Sequence, residues 1–334
     1  MLKKIRSPRF WNNSESVLSK CLLPLAKLYY AVSNYHRNSV TPKQLDIPVI
    51  CVGSVLISGA GKTPAVDLVC RILKDHAFNP HILTSSDGGY LKNVVRVDPS
   101  VLSYLQVGDE SLLSALVAPT WIGKNRIKAS AAAIASGADA IIIDDGFRNN
   151  SLVKNYKLLV VDSEQQFANE NLFPAGPLIE PVESGVNDAD TILIIGEKNE
   201  ALETRIKSIR NDIAIFRAKM KVDEALAVDN NKVVAFCGLG YPKKFRRTLM
   251  ECNYEIVDFI EFSDHHPYTI TEIQHLINRA KTANATLITT MKDYVKIPDV
   301  FTPEIKVISI KLETENNDLA DDILKTIEPQ APQK

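Results

Sequence analysis

Apolar residues along this chain fall into two alternating patterns. Residues 47–53 are a nearly unbroken apolar run, as a strand covered on both faces requires. Behind it, Ala65, Leu68, Val69, Ile72 and Leu73 recur at helical spacing and predict a helix over 64–75. Pro64 is tolerated there because the first helical turn needs no amide donor. A strand at 81–84, helices near 110–117 and 125–136, and strands at 140–143, 158–162 and 191–195 follow. This alternation predicts a parallel sheet with helices on both faces. A second cycle begins near 232, with a strand at 233–237, a Gly238-Leu239-Gly240 turn, a helix from about 243 and a strand at 255–259. It closes with a helix over 271–283 and a strand at 287–290; a capping box of Thr269 and Glu272 opens that helix. The second cycle reads as a smaller α/β domain. The boundary is expected near 215–225, with 216–222 as an extended connector, dividing the chain into 1–217 and 218–334.

The first 37 residues differ from the rest. Seven basic residues (Lys3, Lys4, Arg6, Arg9, Lys20, Lys27, Arg37) stand against one acid, Glu15, a local charge of +6. Leu18, Cys21, Leu22, Leu25, Leu28 and Tyr29 fit one face of a helix within 8–37, which Pro24 should kink or split. Two readings are open: a first helix packed on the core, or an interfacial helix on anionic lipid with Phe10 and Trp11 at the headgroups.

Composition narrows the classes. At roughly 150 residues per domain, 334 residues predict two domains. A content of 45% hydrophobic and 24% charged residues excludes disorder as the main state, because enough apolar surface exists to bury a core. The net charge of −1 disfavours a protein that coats nucleic acid. Five scattered cysteines (Cys21, Cys51, Cys70, Cys237, Cys252) show no zinc-ligand spacing and suggest reduced thiols in the cytoplasm. No apolar run reaches the roughly 18 residues of a membrane span, and the start lacks the apolar stretch of a signal peptide.

Four motifs carry chemistry. Gly59-Ala60-Gly61-Lys62-Thr63 stands between a buried strand and a helix, where backbone amides and a helix N-terminus cradle phosphate. Lys62 would reach the β- and γ-phosphates and Thr63 would ligate Mg²⁺, with Leu56, Ile57 and Ser58 completing the loop. Leu56 occupies the position where the full phosphate-loop pattern has glycine. Ile141-Ile142-Ile143-Asp144-Asp145 is an apolar strand ending in acids, the arrangement that brings a carboxylate to a nucleotide-bound metal. Adjacent side chains on a strand point oppositely, so Asp144 is the stronger candidate than Asp145. Asp109 and Glu110 open a helix, either as cap and dipole partner or as a base for an attacking hydroxyl. Asp264-His265-His266-Pro267-Tyr268 either caps the helix that follows or brings an imidazole to the γ-phosphate.

Together these motifs resemble the tetraacyldisaccharide 4′-kinase (lipid A 4′-kinase) family. The resemblance runs in order from Pro8-Arg9-Phe10-Trp11 through the phosphate loop, Val107-Gly108-Asp109-Glu110 and Asp144-Asp145-Gly146-Phe147. It continues through Leu172-Phe173-Pro174-Ala175-Gly176-Pro177-Leu178, Gly238-Leu239-Gly240-Tyr241-Pro242, Asp264-His265-His266-Pro267-Tyr268 and Thr289-Thr290-Met291-Lys292-Asp293. The resemblance implies a P-loop NTPase-like fold and transfer of the ATP γ-phosphoryl group to the 4′-hydroxyl of a tetraacylated glucosamine disaccharide 1-phosphate, forming lipid IVA. It implies ATP and Mg²⁺, an acylated disaccharide substrate, and peripheral attachment to the cytoplasmic face of a Gram-negative inner membrane through the amino-terminal helix. It implies Asp109 as catalytic base, His265 as its partner, and Asp144 and Glu110 beside the metal, with Asp145 and Arg148 nearby. No nucleic-acid partner or obligate protein partner is expected.

Three positions depart from the family's habit. Ser54 stands where asparagine is usual, Arg148 where glutamine is usual, and the segment Thr84-Ser85-Ser86-Asp87-Gly88-Gly89-Tyr90 lacks an expected arginine. The competing readings are a soluble P-loop ATPase or GTPase switch or metallocentre maturation factor, and a nucleotide-binding adaptor without catalysis. The first leaves the amphipathic start unexplained.

Overall fold

The computed structural model describes residues 8–13, 15–223 and 231–328. Lys3, Lys4 and Arg6 of the basic start lie outside these described residues. A 3₁₀ turn at Arg9–Asn12 leads into α1 (Val17–Asn38). The chain then runs through β1 (Val49–Gly53), α2 (Lys62–Asp75), β2 (Pro80–Thr84), β3 (Val95–Val97), α3 (Tyr104–Val107), α4 (Asp109–Val117), β4 (Thr120–Ile122) and α5 (Arg126–Ala135). Next come β5 (Ala140–Asp144), β6 (Tyr156–Asp162), α6 (Val182–Asp188), β7 (Thr191–Ile195), α7 (Glu200–Ile209) and β8 (Ala214–Val222). A second group follows: β9 (Lys232–Cys237), α8 (Pro242–Glu251), β10 (Glu255–Glu261), α9 (Ile270–Thr282), β11 (Thr286–Thr290), α10 (Met291–Tyr294) and β12 (Lys306–Ile308). The chain ends in β13 (Ile310–Thr314) and α11 (Asp318–Ile327).

A nine-stranded sheet has the order β13-β8-β7-β6-β1-β5-β2-β4-β3, and a four-stranded parallel sheet the order β10-β9-β11-β12. Within the large sheet, pairings from β4 across to β8 are parallel, and only the two edges, β3 on β4 and β13 on β8, are antiparallel. Every residue of β1, β2, β5 and β7 is buried, because helices cover both faces. A parallel sheet aligns its strands' carboxyl ends, so the loop before α2, Asp144 and Asp162 share one edge.

The expected connector over 216–222 is instead part of β8. Phe216, Ala218, Met220 and Val222 alternate with Arg217, Lys219 and Lys221, a period-two pattern that β13 (Ile310, Leu312 between Lys311 and Glu313) matches across the antiparallel pair. The smaller sheet is therefore inserted between β8 and β13, and the chain does not divide at 217/218. Residues 310–327 return to the large sheet, where Tyr156 and Thr191 donate to Asp322 of α11 at 2.5 and 2.7 Å.

Pro24 does not split α1, which is continuous over 22 residues. Of the two readings open for its apolar stripe, packing on the core is not the arrangement found: Leu18, Cys21, Leu25, Leu28 and Tyr29 are exposed. The docking face is built from Ser19 and Ala26, both buried. Ser19 Oγ donates to Ala175 O (2.6 Å), and Trp11 Nε1 donates to Pro174 O (3.2 Å). Arg37 pairs with Glu180 and Asp188 at 3.0 and 2.9 Å.

Candidate active site

Between β1 and α2 the chain makes a tight loop. Gly59 and Gly61 have φ of 88° and 86°, the left-handed region. A Cβ on Gly59 would lie 2.4 Å from Gln165 Oε1, and one on Gly61 would lie 2.7 Å from Ile195 Cδ1. Leu56, which replaces the motif's first glycine, is buried in the core with Leu178, and Ile57 N donates to Pro177 O (3.0 Å). The loop is thus anchored by a side chain where the full pattern uses flexibility. Ser54 Oγ accepts from Leu56 N (3.1 Å), a local tie for the first departing residue. Ser58, Ala60 and Thr63 complete the loop and the first turn of α2. Lys62 Nζ lies 3.4 Å from Asp145 Oδ2 and donates to Ile57 O (3.2 Å).

Asp144 ends β5 and is buried. Burial, reinforced by the charges of Glu110 and Asp145, pushes its carboxyl up to about 7. Asp145 follows with φ 55°, which turns the chain out of the strand's alternation. Both aspartates consequently feel the charges of Glu110 and Lys62, contrary to the expectation that they diverge. Burial raises Asp145 as well, with Lys62 opposing.

Asp109 is the first residue of α4, and Gly108 stands at the cap with φ 87°. Asp109 is therefore not the cap, but its Oδ1 accepts from Glu110 N (3.0 Å), and both acids stand in the first turn of α4, where they complement the helix dipole. Asp109 is buried, and its Oδ2 lies 2.6 Å from His265 Nδ1. The neighbouring histidines separate: His266 Nε2 meets Glu272 Oε1 (3.1 Å) in the cap of α9, while His265 turns to Asp109. Thr269 and Glu272 form the capping box expected from the sequence. Lys292 Nζ lies 3.2 Å from His265 Nε2, 3.4 Å from Asp264 Oδ1 and 3.7 Å from Glu110 Oε1. An ammonium only donates, so Nε2 is the acceptor, and Nδ1–H donates to Asp109. Burial alone would raise the Asp109 carboxyl. The hydrogen bond from His265 Nδ1–H and the charges of Lys292 and Lys296 outweigh it and hold the carboxyl at about 2.

Two cations here escaped the motif reading. Lys292 lies within the Thr289–Asp293 motif, where its signal is the Lys-Asp pair directly after a strand. Arg126 opens α5 behind its cap Asn125 and is buried, with one guanidinium nitrogen unbonded among the described residues. Its charge faces Asp144, Asp145 and Asp87, the last within the segment that lacks the expected arginine. Nothing local in Lys124-Asn125-Arg126 announces this. Arg148 does not join the acids: it donates to Ile179 O (2.5 Å) and Ser33 Oγ (2.9 Å) and covers the Tyr30 ring at 5.3 Å, tying α1 to the loop after Asp145.

A family model described as LpxK: Tetraacyldisaccharide-1-P 4'-kinase matches residues 18–328. The chain belongs to this family. The tetraacyldisaccharide 4'-kinase of Rhodospirillum centenum is 35% identical over 327 residues, 96% of each chain. That of Gluconobacter oxydans is 36% identical over 311 residues, 92% of this chain and 93% of its own. LpxK from Aquifex aeolicus, whose crystal structure is described as a complex with ATP, matches 93% of this chain and all of its own with a TM-score of 0.71. At 22% identity that likeness is one of fold, and it agrees with the α/β class expected from the sequence.

Among the described residues no three His, Cys, Asp or Glu side chains form a metal cage by themselves. Mg²⁺ does not require one, since it takes one or two carboxylates and fills its shell with substrate phosphates and water. Burial, with the neighbouring carboxylates of Glu110 and Asp145, raises the Asp144 carboxyl against Lys62 and Arg126, and oxygen donors of this kind fit a hard divalent cation.

Proposed function

We propose that the carboxyl edge of the large sheet transfers the γ-phosphoryl group of ATP to the 4′-hydroxyl of a tetraacylated glucosamine disaccharide 1-phosphate. By family membership the chain is an ATP-dependent lipid A tetraacyldisaccharide 4′-kinase. The observation that supports the residue roles is the bridge through Glu110: its Oε1 lies 3.7 Å from Lys292 Nζ and 4.0 Å from His265 Nε2, and its charge bears on Asp144 and on Asp145, which lies 3.4 Å from Lys62. On this reading the phosphate loop, the acids that would hold the metal and the buried carboxylate–imidazole pair act together at one sheet edge.

Residues 56–63 cradle the triphosphate, with Lys62 on the β- and γ-phosphates. Mg²⁺ held by Thr63, Asp144, Glu110 and Asp145 would neutralise phosphate charge. The acceptor oxygen forms the new P–O bond as the β–γ bridge breaks, and the electron pair leaves on ADP. Asp109 receives the hydroxyl proton. A carboxylate held at about 2 is a weak base, so its first task is to orient the hydroxyl; the proton moves as bond formation acidifies it. His265 fixes Oδ2 of Asp109 and leaves the carboxylate a defined direction.

The substrate is amphiphilic, and α1 offers an exposed apolar stripe. This helix rests on anionic lipid at the cytoplasmic face of the inner membrane, with neighbouring Lys20 and Lys27 exposed to headgroups. No helix among the described residues is long and apolar enough to cross a membrane.

Incubation with γ-labelled ATP and a tetraacyl disaccharide 1-phosphate, followed by chromatography of the lipid, tests the reaction. Label is expected in the lipid, and Asp109→Ala and His265→Ala should lose turnover while ATP binding persists. Unchanged turnover in either variant removes that residue from the scheme.

A further inference from the structure

Behind His265 lies a buried carboxylate that the reaction does not touch. Asp293 is 0% exposed. Its Oδ1 accepts from Gly238 N (3.0 Å), the Tyr268 hydroxyl (2.8 Å) and Lys296 Nζ (2.8 Å), and its Oδ2 accepts from the Thr290 hydroxyl (2.8 Å). A carboxylate has about four acceptor sites, so Asp293 is saturated. The buried charge is matched by Lys296, itself buried and 5.1 Å from the Tyr268 ring.

These partners are the supports of the catalytic imidazole. Gly238 O accepts from His265 N (3.2 Å), so one residue links Asp293 to the His265 backbone. Gly238 cannot be replaced cheaply, because a Cβ there would lie 2.9 Å from Ser263 O and 3.0 Å from Asp293 Oδ1. Tyr268 holds the carboxyl end of the same loop. His265 has φ 56°, a conformation that a non-glycine residue keeps only where its surroundings enforce it. Asp293 also sits in α10 beside Lys292, whose ammonium meets the far nitrogen of the imidazole.

We propose that Asp293 is a positioning residue for the His265–Asp109 pair. It binds the 264–268 loop and the Lys292 turn into one unit, so the imidazole arrives with Nδ1 toward Asp109 and Nε2 toward the lysine. The inference rests on the reading of that pair as the proton-handling group.

Asp293→Asn keeps the shape but turns one acceptor into a donor facing donors. In the full-length enzyme, turnover is expected to fall about 10²-fold, the loss typical of a 1 Å misplacement, with little change in KM for ATP. Tyr268→Phe, which removes a single bond, should show a smaller fall in the same direction. The independent readout is proton NMR of ¹⁵N-histidine-labelled enzyme. The Nδ1–H of His265, assigned by its loss in His265→Gln, should lie far downfield in the wild type and shift or broaden in Asp293→Asn. A folded Asp293→Asn with unchanged signal and turnover overturns the proposal. If that variant does not fold, unchanged signal and turnover in Tyr268→Phe overturn it. If His265→Gln keeps full turnover while the signal still depends on Asp293, the positioning stands and the catalytic reading of the pair falls.

Discussion

Helices α1 and α2 carry similar apolar stripes and meet opposite fates. In α2, Ala65, Leu68, Val69 and Leu73 are buried against the large sheet. In α1, Leu18, Leu25, Leu28 and Val32 are 54%, 52%, 61% and 52% exposed, and the helix docks through Ser19, Ala26 and charged ties. Periodicity states that a helix has two faces; it does not name the medium that takes the apolar one. Sequence context hints at the answer for α2, which the phosphate loop tethers to a central strand. It says nothing for α1, whose partners Ala175, Glu180 and Asp188 lie well over 100 residues away.

The comparison can be broken most directly by truncation. Leu73→Ala should cost about 2–5 kcal/mol in denaturant unfolding, whereas Leu28→Ala should change stability by about 0.5 kcal/mol or less. Equal costs would mean that α1 is packed in solution. Leu25→Asp with Leu28→Asp should leave unfolding unchanged but abolish co-sedimentation with anionic vesicles. Full retention on vesicles would remove the interfacial role. Ser19→Leu overfills the docking face and should cost about 1–3 kcal/mol, more than any change on the exposed stripe. Arg148→Gln, which restores the family's usual residue, should cost about 1 kcal/mol by loss of hydrogen bonds to Ser33 and Ile179.

The smallest effect sharpens the contrast between polar and apolar docking. Burial raises the Glu180 carboxyl above its ordinary value, with Arg37 opposing. A raised folded value means that the contribution of Glu180 is most favourable below about pH 4.5, the unfolded value, and is lost as pH rises through the folded one. The stability of Glu180→Gln relative to wild type should therefore improve between pH 4 and 7, while that of Leu73→Ala should not depend on pH. A flat difference for Glu180→Gln would place the cost of docking elsewhere.

Much of the site was legible locally. The strand–loop–helix context of Gly59 to Thr63 and the acids ending β5 follow from neighbours in sequence, and the structure has them on one sheet edge. Asp109 and Asp144 show where legibility stops. Both are buried aspartates at element ends, yet the His265 hydrogen bond and two lysines hold one at about 2 against its burial, while burial and neighbouring acids push the other up to about 7. The cations come from Lys292 and Lys296, far along the chain. Arg126 and the role of Asp293 were hidden for the same reason, as was the β8–β13 pair, whose two strands each alternate clearly but whose partnership spans the whole smaller sheet.

The linear order of residues determined the strands and helices that flank the phosphate loop, the loop itself and the family, because helix period, strand alternation and turn chemistry act over a few neighbours. Only the tertiary structure decided which face of α1 stays outside, that the smaller sheet is an insertion, and that His265 meets Asp109. Those outcomes depend on charges and surfaces brought together across long stretches of chain, where a few ångströms set the sign of the interaction.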